Sequence, residues 1–138
     1  ENGVPVKNGL KELLEFLKEQ KIPAAVATST GRVSAEMVLK MAGVYEDLTA
    51  FMYGDMLKAS KPEPDIFLEA AKKLGQEPKD CVVIEDSISG VLAGKAAGGY
   101  VIYIPDIMKV PEEVKEGITA ELPELSCVIE WIKEENRR

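Results

Sequence analysis

At 138 residues, 46% of them hydrophobic and 30% charged, the chain has the make-up of one soluble domain large enough to bury a core. No apolar run approaches the roughly 20 residues that cross a bilayer, so no membrane association is expected. A formal charge of −7 argues against a nucleic-acid partner, which requires a basic face, but small phosphorylated ligands need only a few local donors. Histidine is absent, which removes Ser-His-Asp and Cys-His catalysis and the usual His-containing zinc sites. Chemistry must rest on carboxylates, lysine and hydroxyls. Cys81 and Cys127 read as two buried free thiols in a reducing, cytoplasmic compartment. The chain opens on Glu1, with no methionine before Met37 and no signal-peptide pattern, and is expected to begin inside a longer product.

Leu10, Leu13, Leu14 and Leu17 follow the i, i+3, i+4, i+7 spacing of an amphipathic helix that starts at Asn8-Gly9. Ile22 to Thr28 is an uninterrupted apolar run, the pattern of a strand buried on both faces. Val33 to Ala42 predicts a helix stopped by Gly43, and Thr49 to Tyr53 a strand ending at Gly54-Asp55. The loop Met56 to Pro62 leads into a helix from Pro64-Asp65 to Leu74 and Gly75. Cys81 to Ile84 predicts a third strand, Ile88 to Ala97 a helix, and Tyr100 to Ile104 a fourth strand closed by Pro105. A helical turn near Pro111 and a final helix carrying Val128, Ile129 and Ile132 complete the chain. With no repeat or linker, residues 1–138 read as a single domain.

Apolar strands alternating with helices mean an α/β domain, a parallel sheet with helices on both faces. Ligands of such sheets bind beyond the carboxyl ends of the strands. Three places therefore matter: Thr28-Ser29, Gly54-Asp55 and Glu85-Asp86. The adjacent carboxylates Glu85 and Asp86 repel each other unless a cation or donors offset the charge. Mg²⁺ suits such a pair, since it takes one or two carboxylates and keeps waters and phosphate oxygens; the other reading is that Asp86 or Ser87 simply caps the next helix. Thr28-Ser29-Thr30-Gly31 places hydroxyls and backbone N–H groups at a helix start, as either an anion site or an ordinary cap. Lys61 sits in the proline-stiffened run Ser60-Lys61-Pro62-Glu63-Pro64-Asp65, either solvated or clamping a phosphate.

Gly90-Val-Leu-Ala-Gly94-Lys95 is not a P-loop, which needs four residues between the glycines and Ser or Thr after the lysine. Gly90, Gly94 and Gly98 instead recur every fourth residue, giving a smooth helical face expected to lie close on the sheet. Gly94 costs about 1 kcal/mol of helix propensity relative to alanine, so close packing is its expected reason.

Taken in order, Ala25-Val-Ala-Thr28-Ser29-Thr30, then Gly54-Asp55 with Lys61-Pro-Glu-Pro-Asp65-Ile-Phe67, then Val82-Val-Ile-Glu85-Asp86-Ser87-Ile-Ser-Gly90 resembles the haloacid dehalogenase superfamily. The likeness is to its phosphoglucomutase-like and sugar-phosphatase branch. It runs from about Val6 to Pro105, with 106–138 as a C-terminal helical extension. The resemblance implies a Rossmann-like fold and a Mg²⁺-dependent phosphatase or phosphomutase that works through an aspartyl-phosphate on a small phosphorylated metabolite such as a sugar phosphate. By position, Thr28 and the Ser29 N–H would hold the phosphoryl oxygens, and Lys61 would neutralise nucleophile and phosphoryl group. Asp86 would bind Mg²⁺ directly, and Glu85 directly or through water. Arg32 stands where a substrate-facing polar residue often lies.

The family's nucleophile belongs to an Asp-x-Asp motif after a first, central strand. Asp47, Asp55, Asp65, Asp80, Asp86 and Asp106 include no such pair, and the cap domain is absent too. The chain is thus expected to be a truncated piece, inactive alone, lacking the central strand; the alternative is a non-catalytic phosphate-binding module. A phosphoacceptor receiver domain is disfavoured, because its acidic pair comes early and its lysine last. The strand order implied is 49–53, 22–28, a gap, 81–84, 100–104. Direct closure of that gap is disfavoured against self-association or a bound N-terminal piece filling it.

Overall fold

The computed structural model describes residues 9–28, 31–53, 63–105 and 110–136. The leucine spacing produces α1 (Leu10–Glu19), with Leu13 and Leu14 buried. Ile22 N–H bonds back to Leu17 O at 2.8 Å, ending the helix before Pro23, which has no N–H to give. Then come β1 (Ala25–Ala27), α2 (Arg32–Met41), a 3₁₀ turn at Tyr45–Asp47 and β2 (Ala50–Met52). After α3 (Asp65–Leu74) and a second 3₁₀ turn, Pro78–Asp80, the chain forms β3 (Val82–Glu85), α4 (Ile88–Ala97) and β4 (Tyr100–Tyr103). α5 (Glu112–Lys115), β5 (Ala120–Glu121) and α6 (Cys127–Asn136) follow.

Among the described residues the ladders are all parallel and fall in two pieces: β1 with β2, and β3-β4-β5. β2 beside β1 and β3 beside β4 are the expected neighbours, β5 is additional, and no ladder joins β1 to β3 among the described residues. Direct closure of the gap is not adopted. Strand alternation sorts the side chains by face. Ile84, Ile102 and Ile104 meet Leu13 of α1 and Val128 of α6 on one side. Val83, Val101 and Tyr103 meet Val91 of α4 and Val114 of α5 on the other. Helices therefore cover both faces of the β3-β4 layer. On β1 and β2, Ala25, Ala27 and Met52 meet Ile66 and Ala70 of α3.

Two helices link the pieces. Phe67 of α3 packs against the clusters on both sheets. α1 packs on β4 through Leu13, while Lys11 reaches across to Gly43 O and Asp47 Oδ2, each at 2.8 Å.

Several expectations need correction. The apolar run at 22–28 forms a ladder only at 25–27, Ile22 is 36% exposed, and all three β1 residues are half-buried instead of buried on both faces. With a ladder partner on one side only, that run is left part-open. Val82 of β3, 37% exposed, shows the same effect. β5 and the 3₁₀ turns at Tyr45–Asp47 and Pro78–Asp80 go beyond the sequence reading; β5 is two residues long and half polar, too short for an alternation pattern. Of the three spaced glycines, Gly94 packs as expected: a Cβ there would stand 3.0 Å from Val83 Cγ1 and 3.1 Å from Val101 Cγ2. Gly98 does not. It ends α4 in the left-handed region at φ 88°, with open space where a Cβ would go.

Gly94→Val should therefore wedge α4 off β3 and β4. A loss of about 1–3 kcal/mol is expected from such overpacking, read as a lower urea midpoint at unchanged slope.

Candidate functional site

β3 ends on Glu85, whose carbonyl accepts from Ile104 N–H at 2.9 Å, so the ladder to β4 fixes the strand end. The chain then turns straight into α4. Ser87 is the N-cap, in extended backbone geometry, and its Oγ accepts from Gly90 N–H at 3.1 Å. The same hydroxyl donates to Glu85 Oε1 at 3.3 Å. Of the two capping candidates the cap is Ser87, which leaves Asp86 half-buried between strand and helix. A Cβ on Gly90 would overlap the Glu85 carboxylate, so the close approach requires glycine there. The partial positive charge of the α4 N-terminus favours carboxylates at this spot.

The donor set fits a hard cation. Two carboxylates on adjacent residues match what Mg²⁺ takes from a protein when it keeps waters and phosphate oxygens. Among the described residues no group of three or more His, Cys, Asp or Glu gathers, so no closed protein cage is built there.

Thr28 directly follows β1, and its N–H extends the ladder by donating to Met52 O at 3.0 Å. It does not cap α2, where the cap position is Gly31 and no side chain bonds. Ser29 and Lys61 lie outside the described residues, as does Gly54-Asp55. Arg32 opens α2 with an exposed guanidinium paired to Glu36 at 3.3 Å. The P-loop-like run sits inside α4, in accord with its rejection, and Lys95 Nζ donates to Val114 O at 2.8 Å. Sequence reasoning missed the contact of Ser87 and Gly90 with Glu85. The Ser-x-x-Gly spacing carried half of it, the cap; the backward reach of Glu85 has no sequence signal.

Residues 1–98 match the family model described as haloacid dehalogenase-like hydrolase. The chain is 42% identical over 102 residues to the bifunctional riboflavin kinase/FMN phosphatase of Arabidopsis thaliana, covering 73% of this chain and 27% of that protein. It is 40% identical over 95 residues to the phosphorylated carbohydrates phosphatase of Thermotoga maritima, covering 69% and 44%. A crystal structure of a candidate β-phosphoglucomutase from Thermotoga maritima superposes with a TM-score of 0.83 at 32% identity, covering 92% of this chain and 59% of that one. The chain thus spans less than two thirds of the length of each of these proteins.

At the end of β2, beside the loop that carries Lys61 in the sequence, Tyr53 is 3% exposed. Burial first, then the Glu36 carboxylate, raises its phenol above the usual 10.0. The folded state therefore holds the phenolic proton more tightly than the unfolded chain. That share of stability is complete below about pH 10 and is lost as pH rises through the folded value. An alkaline absorbance titration should show a late phenol ionisation that disappears in Tyr53→Phe.

Proposed function

The chain belongs to the haloacid dehalogenase-like hydrolases, and we propose that it forms the phosphate- and metal-binding part of a Mg²⁺-dependent phosphoryl-transfer domain. The substrate class is a small phosphorylated metabolite such as a sugar phosphate, in keeping with the phosphorylated carbohydrates phosphatase among its relatives. The reaction is phosphatase or phosphomutase chemistry through an aspartyl-phosphate. The observation that carries the reading is the Glu85-Asp86 pair, set at the end of a parallel strand against the N-terminus of α4.

In this reading Asp86 ligates Mg²⁺ directly, and Glu85 does so directly or through water. Mg²⁺, when bound, offsets the negative charge of the transferring phosphoryl group. Thr28 and the Ser29 N–H hold phosphoryl oxygens, Lys61 supplies a positive charge, and Arg32 faces the substrate. These groups converge on one cleft at the carboxyl ends of β1 and β3. Coordinates placing Lys61 on the side opposite Asp86 would rule this out.

No two aspartates of this sequence are separated by one residue, so the nucleophile is not among its 138 residues. The same fact favours a second reading, a phosphate-binding module without chemistry. The free thiols of Cys81 and Cys127, half-buried instead of buried as expected, suit a reducing, cytoplasmic setting. Among the described residues no helix is long and apolar enough to cross a membrane. The edges of β1 and β3 that face no ladder partner are to be filled by a strand, from another copy or from another part of the same protein.

The 138-residue chain alone should bind Mg²⁺ weakly and release no phosphate from a panel of sugar phosphates. Turnover by a preparation free of longer forms, lost on Asp86→Ala, would refute this. A longer form supplying an upstream Asp-x-Asp should be active, and lose at least about 10²-fold in kcat on Asp86→Ala, as when other transition-state charge stabilisers are removed. Binding of phosphate esters by that longer form without turnover would favour the module instead. For the open edges, sedimentation velocity over a concentration series should show self-association of the isolated chain; a strict monomer would leave the other part of the protein as the source of the strand.

A further inference from the structure

A glycine in the first turn of a helix calls for a physical reason. Gly90 occupies the third helical position after the Ser87 cap, where a capping box would place Glu or Gln. Glycine is a poor helix former there, and alanine would be better by propensity alone. The space a side chain at 90 would fill is taken by the Glu85 carboxylate, folded back from the end of β3. The Ser87 hydroxyl ties the two together, accepting from Gly90 N–H at 3.1 Å and donating to Glu85 Oε1 at 3.3 Å. A glutamate has three side-chain torsions, so a free one at a strand end would sample many positions. Here one oxygen is tethered from the side and the missing Cβ leaves room for the group.

We propose that Ser87 and Gly90 are positioning residues for Glu85, seating its carboxylate over the first turn of α4 so that it meets the cation as a fixed charge. The inference rests on the metal reading given above and deepens it, since it names what holds the second carboxylate of the pair. Asp86 is neither the cap nor the group in the Gly90 notch. In the metal reading the two adjacent carboxylates take different parts, Glu85 held against the helix and Asp86 ligating directly. Partners of metal-ligand groups act on affinity in this way, by fixing orientation.

The test is a double-mutant cycle on the 138-residue chain: wild type, Gly90→Ala, Glu85→Ala and the double variant. Melting without metal reads the seat, and Mn²⁺ binding followed by water-proton relaxation reads the cation. Gly90→Ala should raise the melting temperature less, or lower it, in the wild-type background, where the Glu85 carboxylate must leave its seat, than in the Glu85→Ala background, where only the helix propensity of alanine acts. Gly90→Ala and Ser87→Ala should each weaken Mn²⁺ binding about 10-fold, the lower end of what losing a ligand's partner costs. Ser87→Thr keeps the hydroxyl and should retain wild-type affinity. Equal effects of Gly90→Ala in both backgrounds would overturn the seat. Unchanged Mn²⁺ affinity in Gly90→Ala, with the melting coupling present, would overturn its role toward the cation. A wild-type chain that binds no Mn²⁺ yet shows the coupling would overturn the metal reading while supporting the seat.

Discussion

With no ladder between β1 and β3 among the described residues, the two half-sheets are related through helices, and Phe67 of α3 is the point on which this depends. Its ring packs on the cluster around Val83 and Val101 and on the cluster around Met52 and Ile66. A single aromatic side chain buries a large apolar area and has only two torsions to fix, which suits it to join two cores. On the opposite face α1 performs the same service with different chemistry, apolar through Leu13 and ionic through Lys11. The Lys11 side chain is exposed while Asp47 is only 11% exposed, so salt screens this pair only in part. The strand-end groups of the two sheets, Thr28 on one and Glu85-Asp86 on the other, inherit their relative placement from these contacts.

The local architecture of the acidic pair follows from a strand that passes into a helix within two residues. β3 ends at Glu85 and α4 starts at Ile88, so the carboxylates have no loop on which to diverge. They are held where the peptide N–H groups of the first helical turn lack helical partners and favour negative charge. Tight packing of α4 on the sheet through Gly94 keeps that helix end near the strand end. Gly90 and Gly94 thus serve one arrangement at two points: one admits the carboxylate, the other brings the helix close enough for it to matter.

Much of this was legible in the residues. The α4 boundaries, the stop of α3 at Gly75 and the rejection of a P-loop came from patterns with a local physical cause, and the parallel sheet from apolar strands alternating with helices, whereas the strand order came from the family resemblance. What failed was read from pattern alone where tertiary context decides. The apolar run at 22–28 suggested a strand buried on both faces, yet apolar content records what the segment is suited to, not how many neighbours it has. Gly98 shared the four-residue spacing of Gly90 and Gly94, but period cannot distinguish a packing glycine from a helix stop. β5 pairs through two residues, Ala120 and Glu121, and depends on the β4 edge beside it. The fold of Glu85 back over α4 is a side-chain choice that no spacing rule encodes. Lys61 and Ser29, prominent in the sequence, lie outside the described residues and stay within the functional proposal.

The charge of the chain sets a last condition on any phosphate chemistry here. With 24 acidic against 17 basic side chains, the protein as a whole repels a phosphate ester and attracts a divalent cation. At physiological salt the Debye length is about 8 Å, so distant charges are largely screened and the groups nearest the ligand decide the outcome. Near Glu85 and Asp86 those groups are themselves anionic, and the α4 N-terminus offsets only part of that charge. A phosphate could approach such a place only with a cation interposed. In the proposed reading the carboxylates would recruit a divalent cation, which would reverse the sign of charge that a phosphate meets there. In the same reading Lys61 would add a second positive charge, so that a chain this acidic overall needs only two local cations to meet a phosphate.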